Sequence, residues 1–276
     1  MMQIGPYQVR TILAGTFRLD GGAMFGSVPR MLWERKNPAD ESNRIELATR
    51  LLWLEGGGRK ILVDVGNGDK FDERAAEMFA IKVEPPEEWG VAVEEVTDVI
   101  LTHLHFDHAG GISRRSKEGQ LELVFPEAET YLQRENWDNA RQPWARERAS
   151  YLEENWKPLE SAKLHLLDGP TEIASSLYVE VAHGHTHGLQ WVRVGEGRGA
   201  LAYPSDLMPT ASHIRLPWIM GYDRCAETSY EEKSAFLNRA VDEEWIVVFE
   251  HDARTEAVTI ERDARGRFGM KEKIDL

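Results

Sequence analysis

The sequence predicts an α/β fold that forms one domain over residues 1–276. Runs rich in β-branched residues alternate with helical stretches along the whole length. No linker or low-complexity tract interrupts them, and the 42% of apolar residues can supply a substantial core. Because Cys225 is the only cysteine, an internal disulfide is excluded and folding does not depend on an oxidising compartment.

A glycine-turned hairpin is the first predicted element. Residues 45–54 are rich in apolar side chains, the glycines at 56–58 turn the chain, and residues 60–65 are typical of a buried strand. The next predicted elements are a helix over 71–81, a strand over 96–102, and short strands over 121–125 and 130–133.

The second half begins with a segment rich in charge and tryptophan, residues 134–160, which we expect to form a helical cap on the domain. The remaining predicted elements are strands over 177–182, 190–194, 200–203 and 245–249, a helix over 231–241 with Thr228 or Ser229 as its N-cap, and a hairpin of 257–262 with 268–274.

The charge balance restricts the class of partner. With 33 basic and 47 acidic side chains, the formal net charge is −14, which disfavours binding of a nucleic acid. No run approaches the roughly 20 apolar residues of a membrane helix. The N-terminus has no basic region before an apolar stretch. We therefore expect a cytoplasmic protein that acts on a small molecule and contacts no membrane.

The histidines are strongly clustered. His103, His105, Asp107 and His108 follow the predicted strand 96–102. In an extended chain, residues i and i+2 point the same way, so His103 and His105 can hold one ion while Asp107 and His108 face a neighbouring point. Imidazoles with one carboxylate suit zinc, iron or manganese better than calcium. Packed core histidines are the alternative. However, this pattern arises by chance in about one such chain in two thousand, and burying these groups unpaired is costly.

The sequence resembles the metallo-β-lactamase-fold superfamily over nearly its whole length, in the lactonase and organophosphate-hydrolase branch. Five features in the family's order carry the resemblance: Asp64-Val65-Gly66, the His103–His108 cluster, Gly184-His185-Thr186, Ser205-Asp206, and His251 after a strand. The resemblance implies a four-layer αββα sandwich, with two mixed sheets flanked by helices.

The resemblance also implies the ligands of two divalent metal ions. One ion would be held by His103, His105 and His185, and the other by Asp107, His108 and His251. Asp206 would bridge the two ions, and Asp64 would organise the site from behind. Zinc is the first expectation, with iron or manganese as alternatives.

Three of these assignments have alternatives in the sequence. His183 and His187 compete with His185, because the three would share one face of an extended stretch. Asp206 could instead cap the helical turn after Pro204, and His251 could be an ordinary histidine at a strand end.

A two-metal site of this kind predicts hydrolysis of an ester-type bond. A hydroxide that bridges the metals would attack, and Asp107 would share the acid and base work. The chain has no Gly-x-Ser-x-Gly elbow that would indicate a serine nucleophile. The expected substrate is a small, fairly apolar ester, lactone or phosphotriester.

Substrate-pocket residues are less sharply indicated. In the resembling branch, Met24, Phe25 and Trp33 would supply apolar walls, with core packing as the alternative. The family's usual tyrosine soon after the bridging aspartate is absent. His213 or Tyr222 could take its place, and Trp218 could add an apolar wall.

Other functions fit the same resemblance. A glyoxalase-type thioester hydrolase and a mononuclear iron oxygenase are the enzymatic alternatives. The oxygenases generally use fewer ligands, so His108 and His251 count against that assignment. A metal-stabilised binding scaffold is the non-enzymatic alternative. Homodimers are common in the superfamily, so a homodimer is among the expectations that the resemblance raises.

Overall fold

The computed structural model describes residues 1–276, and its first part builds one mixed sheet with several short helices. The elements are β1 (Met2–Ile4), β2 (Tyr7–Asp20), α1 (Gly21–Phe25), α2 (Arg30–Trp33), β3 (Arg44–Gly56), β4 (Arg59–Val63), α3 (Glu73–Met78), β5 (Lys82–Val83), β6 (Asp98–Ile100), α4 (Phe106–Ala109), β7 (Ser113–Arg115), β8 (Leu121–Leu123), β9 (Glu129–Gln133), α5 (Arg134–Arg141), α6 (Glu153–Trp156) and β10 (Lys163–Leu167). The sheet order is β1-β2-β3-β4-β6-β9-β10, with β5 paired to β2, while β7 and β8 form a separate ribbon. The pairs β4/β6, β6/β9 and β9/β10 are parallel, and the others in this sheet are antiparallel.

The second part of the chain builds the other sheet. Its elements are β11 (Thr171–Ala174), β12 (Leu177–Ala182), β13 (Leu189–Val194), β14 (Leu201–Tyr203), α7 (Ala226–Asp242), β15 (Ile246–Val248), β16 (Ala257–Arg262) and β17 (Phe268–Ile274). The seven strands lie side by side in chain order. Only β14 and β15, which flank α7, are parallel, because a helical crossover returns the chain to the same edge.

Apolar side chains form three layers of contact. Between the sheets, Val63 and Ile100 of the first sheet pack with Val192 and Val248 of the second. The outer face of the second sheet packs against α7, and the outer face of the first packs against α5 and its neighbours. These layers confirm the predicted four-layer αββα sandwich with mixed sheets.

The two predicted hairpins are present. β3 pairs antiparallel with β4 across Gly57 and Gly58, whose φ angles of 59° and 77° favour glycine. The C-terminal hairpin, β16 with β17, has the predicted bounds.

Several predicted bounds were wrong. The helix expected over 71–81 is only α3. The segment 134–160, which was expected to be helical, contains the short helices α5 and α6 and a 3-10 helix over Lys157–Ser161. Helix α7 begins at Ala226, before the predicted N-caps, and its N-cap Cys225 makes no side-chain capping bond. Its start is fixed by a tertiary contact instead, since the Cys225 N–H donates to the Gly184 carbonyl.

None of the helices combines the length and the apolar character that a membrane span requires.

Candidate metal centre

The predicted site residues lie in five loops, and each loop follows the carboxyl end of a strand. Asp64 follows β4, the His103–His108 segment follows β6, His185 follows β12, Asp206 follows β14, and His251 follows β15. Sheet topology therefore gathers residues that are far apart in sequence at one edge of the sandwich. Two of these loops contain non-glycine residues in the left-handed region, Asp64 at φ 58° and Ser205 at φ 50°. Such backbone is uncommon and concentrates at functional sites.

A first group of donors converges around His105. Its Nδ1 lies 3.0 Å from His103 Nε2 and 3.2 Å from His185 Nε2. Asp206 Oδ2 lies 3.1 Å from His185 Nε2, and one donor atom from each of the four residues lies within 4.8 Å of the others. One proton cannot satisfy three converging ring nitrogens, whereas a cation can.

A second group of donors lies directly beside the first. His108 Nε2 and His251 Nε2 are 3.2 Å apart, and Asp107 places one oxygen 3.8 Å from the former and the other 3.6 Å from the latter. All three side chains are buried. This arrangement brings together the predicted residues of the second group.

Asp206 faces both groups. Oδ2 lies 3.1 Å from His185 Nε2 and 3.5 Å from His108 Nε2, while Oδ1 lies 3.3 Å from His251 Nε2. Oδ1 is buried and has no hydrogen-bond partner. A buried, unpaired carboxylate oxygen is costly, so its position between two sets of imidazoles fits a cation. The donor set of imidazoles and carboxylates suits a divalent transition metal.

Each group is oriented by residues behind it. Asp64 accepts hydrogen bonds from the Thr102 N–H at 2.7 Å and from the Thr102 hydroxyl at 2.7 Å, and its Oδ2 lies 3.1 Å from His108 Nδ1. Asp223 places Oδ1 2.9 Å from His185 Nδ1. A carboxylate on the outer nitrogen fixes the tautomer of an imidazole and directs its inner lone pair to the site. Asp64 was anticipated from the sequence, but Asp223 was not.

Glu250 is a second residue that sequence reasoning missed. It is fully buried, and its Oε2 lies 3.0 Å from His108 Nδ1, beside Asp64. Burial raises the pKa of this carboxyl to about 7. The signal that could have found it is an acidic residue at the end of the apolar run Ile246–Phe249, because an acid is rarely buried without a partner.

The pKa values of the imidazoles in the first group shift in opposite directions. Burial lowers the pKa of His103 and of His105 well below the ordinary value, so both rings are neutral, as a metal ligand must be. Burial also lowers the pKa of His185, but Asp206 and Asp223 outweigh it and raise the pKa to about 10. A proton and a metal ion therefore compete for the Nε2 of His185.

The profile of the metallo-beta-lactamase superfamily matches residues 48–251. This match covers most of the chain and includes every loop described above. The chain belongs to the metallo-β-lactamase superfamily. Together, family membership and the buried His/Asp donor set indicate a metal-dependent hydrolase, and the predicted resemblance is confirmed. No curated protein sequence matches this chain.

Solved structures share the fold of this metallo-β-lactamase-family protein. A probable metal-dependent hydrolase from Staphylococcus aureus is 24% identical, with a TM-score of 0.88 over 99% of this chain and 100% of that one. AidC, a dizinc quorum-quenching lactonase, is 19% identical, with a TM-score of 0.76 over 100% and 97%. The hydrolase AbOPH is 17% identical, with a TM-score of 0.75 over 100% and 97%.

The three candidate histidines after β12 do not all reach the donor groups. Only His185 turns into the donor groups of the metal centre. His183 and His187 lie outside it, and each places Nδ1 3.2 Å from an oxygen of Glu135. The chain bends at residues 184–186 and turns at 187–188, so the three side chains do not share the single face that an extended stretch would give them.

The apolar residues predicted as pocket walls are part of the core. Met24, Phe25 and Trp33 are at most 2% exposed and pack in one cluster with Trp218. For the first three, the alternative of core packing is therefore the one the structure supports. Trp218 does border an open groove of about 1290 Å³, but of the seven predicted ligands this groove reaches only His251.

The two candidates for the missing tyrosine differ in their freedom to bind a substrate. His213 is 1% exposed, and its two ring nitrogens are engaged by the Thr210 hydroxyl at 2.8 Å and the Met24 carbonyl at 3.0 Å. Tyr222 is 39% exposed. Partial burial of its ring, with added repulsion from Asp20 and Asp107, raises the pKa of Tyr222 to about 12, so its hydroxyl keeps its proton.

Proposed function

We propose that the protein is a dinuclear metallohydrolase that cleaves small, fairly apolar esters, lactones or phosphotriesters. The observation that carries the proposal is the position of Asp206, with one oxygen toward His185 and the other toward His251. A carboxylate shared between two sets of imidazoles can ligate two neighbouring cations, one with each oxygen. A mononuclear site would leave His108 and His251 without a role.

Two divalent ions at these positions would polarise the substrate oxygen and lower the pKa of a water molecule. The side chains would hold the ions and transfer the proton. His103, His105 and His185 would hold one position, and Asp107, His108 and His251 would hold the other. Imidazole and carboxylate donors suit zinc first, with iron or manganese as alternatives.

Asp107 supplies the proton transfer in this proposal. Its two oxygens face His108 and His251, and the side chain is 7% exposed. A carboxylate held at the edge of the donor groups can accept a proton from the attacking water at one oxygen. It can then return that proton to the leaving oxygen of the substrate. Tyr222, an expected substitute for the family's tyrosine, is partly exposed and keeps its proton, so it would donate a hydrogen bond to the oxygen on which negative charge develops.

The surroundings favour an uncharged, apolar substrate. Phe106 packs against Phe17, Phe71 and Phe79, and Phe17 also packs edge-on against His251 at 5.4 Å between ring centroids. An aromatic cluster of this kind covers one side of the donor groups with apolar surface. The formal net charge of −14 disfavours polyanions. The dizinc lactonase among the similar structures is consistent with this substrate class.

A metal-loaded activity screen tests the proposal. Purified protein loaded with zinc, manganese or iron is assayed on lactones, aryl esters, thioesters and phosphotriesters, and its metal content is measured. We expect two tightly bound ions per chain and turnover of at least one ester-type class. Asp206→Ala should lose the bound metal and the turnover. His165→Ala, which replaces an exposed histidine of β10, should retain the bound metal and the turnover. One iron per chain with no hydrolysis would favour the oxygenase. Two bound ions with no turnover across the panel would favour the binding scaffold.

A further inference from the structure

We propose a separate, peripheral site for a divalent transition metal, formed by Glu135, His183 and His187. This site lies outside the seven predicted ligands of the metal centre. Glu135 belongs to the first turn of α5, and the two histidines flank His185 in the loop between β12 and β13. One donor atom from each residue lies within 4.8 Å of the others.

The carboxylate lies between the two imidazoles. Glu135 Oε2 is 3.2 Å from His183 Nδ1, and Oε1 is 3.2 Å from His187 Nδ1. His187 Nδ1 is buried and makes no hydrogen bond of acceptable geometry, so a polar atom aimed at the carboxylate is left unsatisfied. Two imidazoles and one carboxylate leave a fourth position open to solvent, which is a common ligand set for zinc.

The backbone holds these side chains together before any ion binds. Gly188 has a φ of 66°, and a Cβ there would lie 2.7 Å from the Asn136 N atom, so the loop rests directly on the first turn of α5. The Asn136 side chain donates to the His187 carbonyl at 2.8 Å. The Glu232 carboxylate accepts hydrogen bonds from the His183 and Gly184 N–H groups. Little ordering of the loop is therefore needed for binding, which favours affinity.

The site differs from other exposed histidine–carboxylate pairs on this protein. His165 also contacts a carboxylate, that of Glu129, but it lies in no group of three donors. Two protein ligands hold zinc poorly, whereas three can hold it with a water molecule in the fourth position. His165 is therefore the matched control.

Equilibrium dialysis against zinc buffers tests the inference. The folded protein, already loaded at its high-affinity positions, is dialysed at free zinc from the nanomolar to the high micromolar range. We expect the wild type to bind one more equivalent than the His183→Ala/His187→Ala double variant at the higher concentrations, and the same number at the lowest. His165→Ala should behave as the wild type does. Equal binding by the wild type and the double variant at every concentration would overturn the inference. So would loss of the same equivalent in His165→Ala.

A milder variant keeps the test decisive if the double variant folds poorly. Glu135→Gln retains the shape of the side chain, and it should weaken the additional equivalent at least tenfold without changing the high-affinity content. In the wild type labelled with nitrogen-15, the ring resonances of His183 and His187 should shift as this equivalent binds, while those of His165 stay in place. An unchanged affinity in Glu135→Gln, or unmoved resonances, would reject the site.

Discussion

His185 is held between two aspartates. Its Nδ1 lies 2.9 Å from Asp223 Oδ1, and its Nε2 lies 3.1 Å from Asp206 Oδ2. In the metal-bound state, a proton on Nδ1 shared with Asp223 leaves the lone pair of Nε2 directed at the metal centre. A residue 38 positions away in the chain thus decides which nitrogen of His185 can act as a ligand.

Removing Asp223 should weaken metal binding. Asp223→Ala leaves the His185 ring free to rotate and to change tautomer, and losses of this kind typically cost about 10- to 100-fold in metal affinity. Competition with a chelator measures the affinity. The metal affinity of Asp223→Asn should lie between those of Asp223→Ala and the wild type, because an amide oxygen can still accept a hydrogen bond from Nδ1–H. The exposed Asp168→Ala serves as control. An unchanged affinity in Asp223→Ala would show that His185 needs no such orientation.

Asp107→Ala should abolish turnover with only a modest effect on folding. The variant loses the group that transfers the proton, an effect of about 10²- to 10⁴-fold on rate, and it also loses one donor of the second group. Rates on the best substrate of the screen and the thermal unfolding midpoint are the measurements. Asp107→Asn separates the two losses, because it preserves size but cannot take up the proton. Rates like those of the wild type in either variant would exclude the proposed mechanism.

Tyr222→Phe should lower kcat while leaving the metal content intact. The substitution removes only the hydroxyl, and loss of one hydrogen-bond donor to a developing negative charge costs roughly 100- to 1000-fold in kcat. Tyr230→Phe is the matched control, since Tyr230 is similarly exposed, at 43%, but faces the groove beside Trp218. If Tyr222→Phe changed KM alone, the tyrosine would contribute binding without acting on the transition state.

Lys233 should make stability depend on pH above neutrality. It lies in α7 at 1% exposure, and its Nζ donates to the Trp218 carbonyl at 2.5 Å. Burial lowers the pKa of its ammonium from 10.5 to about 7 in the folded protein. Between these two values the unfolded chain binds more protons than the folded one, so the free energy of unfolding rises with pH across that window. Below about pH 7 both states are protonated at this residue, and the folded state carries the cost of the buried charge.

Denaturant unfolding at pH 7 and pH 10 measures this effect. In Lys233→Met the rise in unfolding free energy between the two pH values should be smaller than in the wild type, because the variant has no group to titrate there. Lys117→Met, at an exposed position in the ribbon of β7 and β8, should keep the rise of the wild type. An identical rise in Lys233→Met would mean that Lys233 is not the source.

Local patterns predicted some elements well and others poorly. The hairpin of β3 and β4 was predictable because two apolar runs flank glycines. The long strand β2 was not, although it pairs with β3 over twelve positions. A bulge between Leu13 and Gly15 shifts the register there, and this interrupts the simple alternation that marks a strand. The pairing partner, rather than the local pattern, determines β2.

The amino-acid sequence by itself determined the fold class, the family resemblance and the short motifs at strand ends that contain the candidate metal ligands, because a motif is read from neighbouring residues. Tertiary structure alone decided three other points: that His185 turns inward while His183 and His187 meet Glu135, that Asp223 and Glu250 stand behind the imidazoles, and that Met24, Phe25 and Trp33 belong to the core. The physical reason is that direction and burial depend on contacts between distant segments. Such contacts leave no periodic or local signal in the chain.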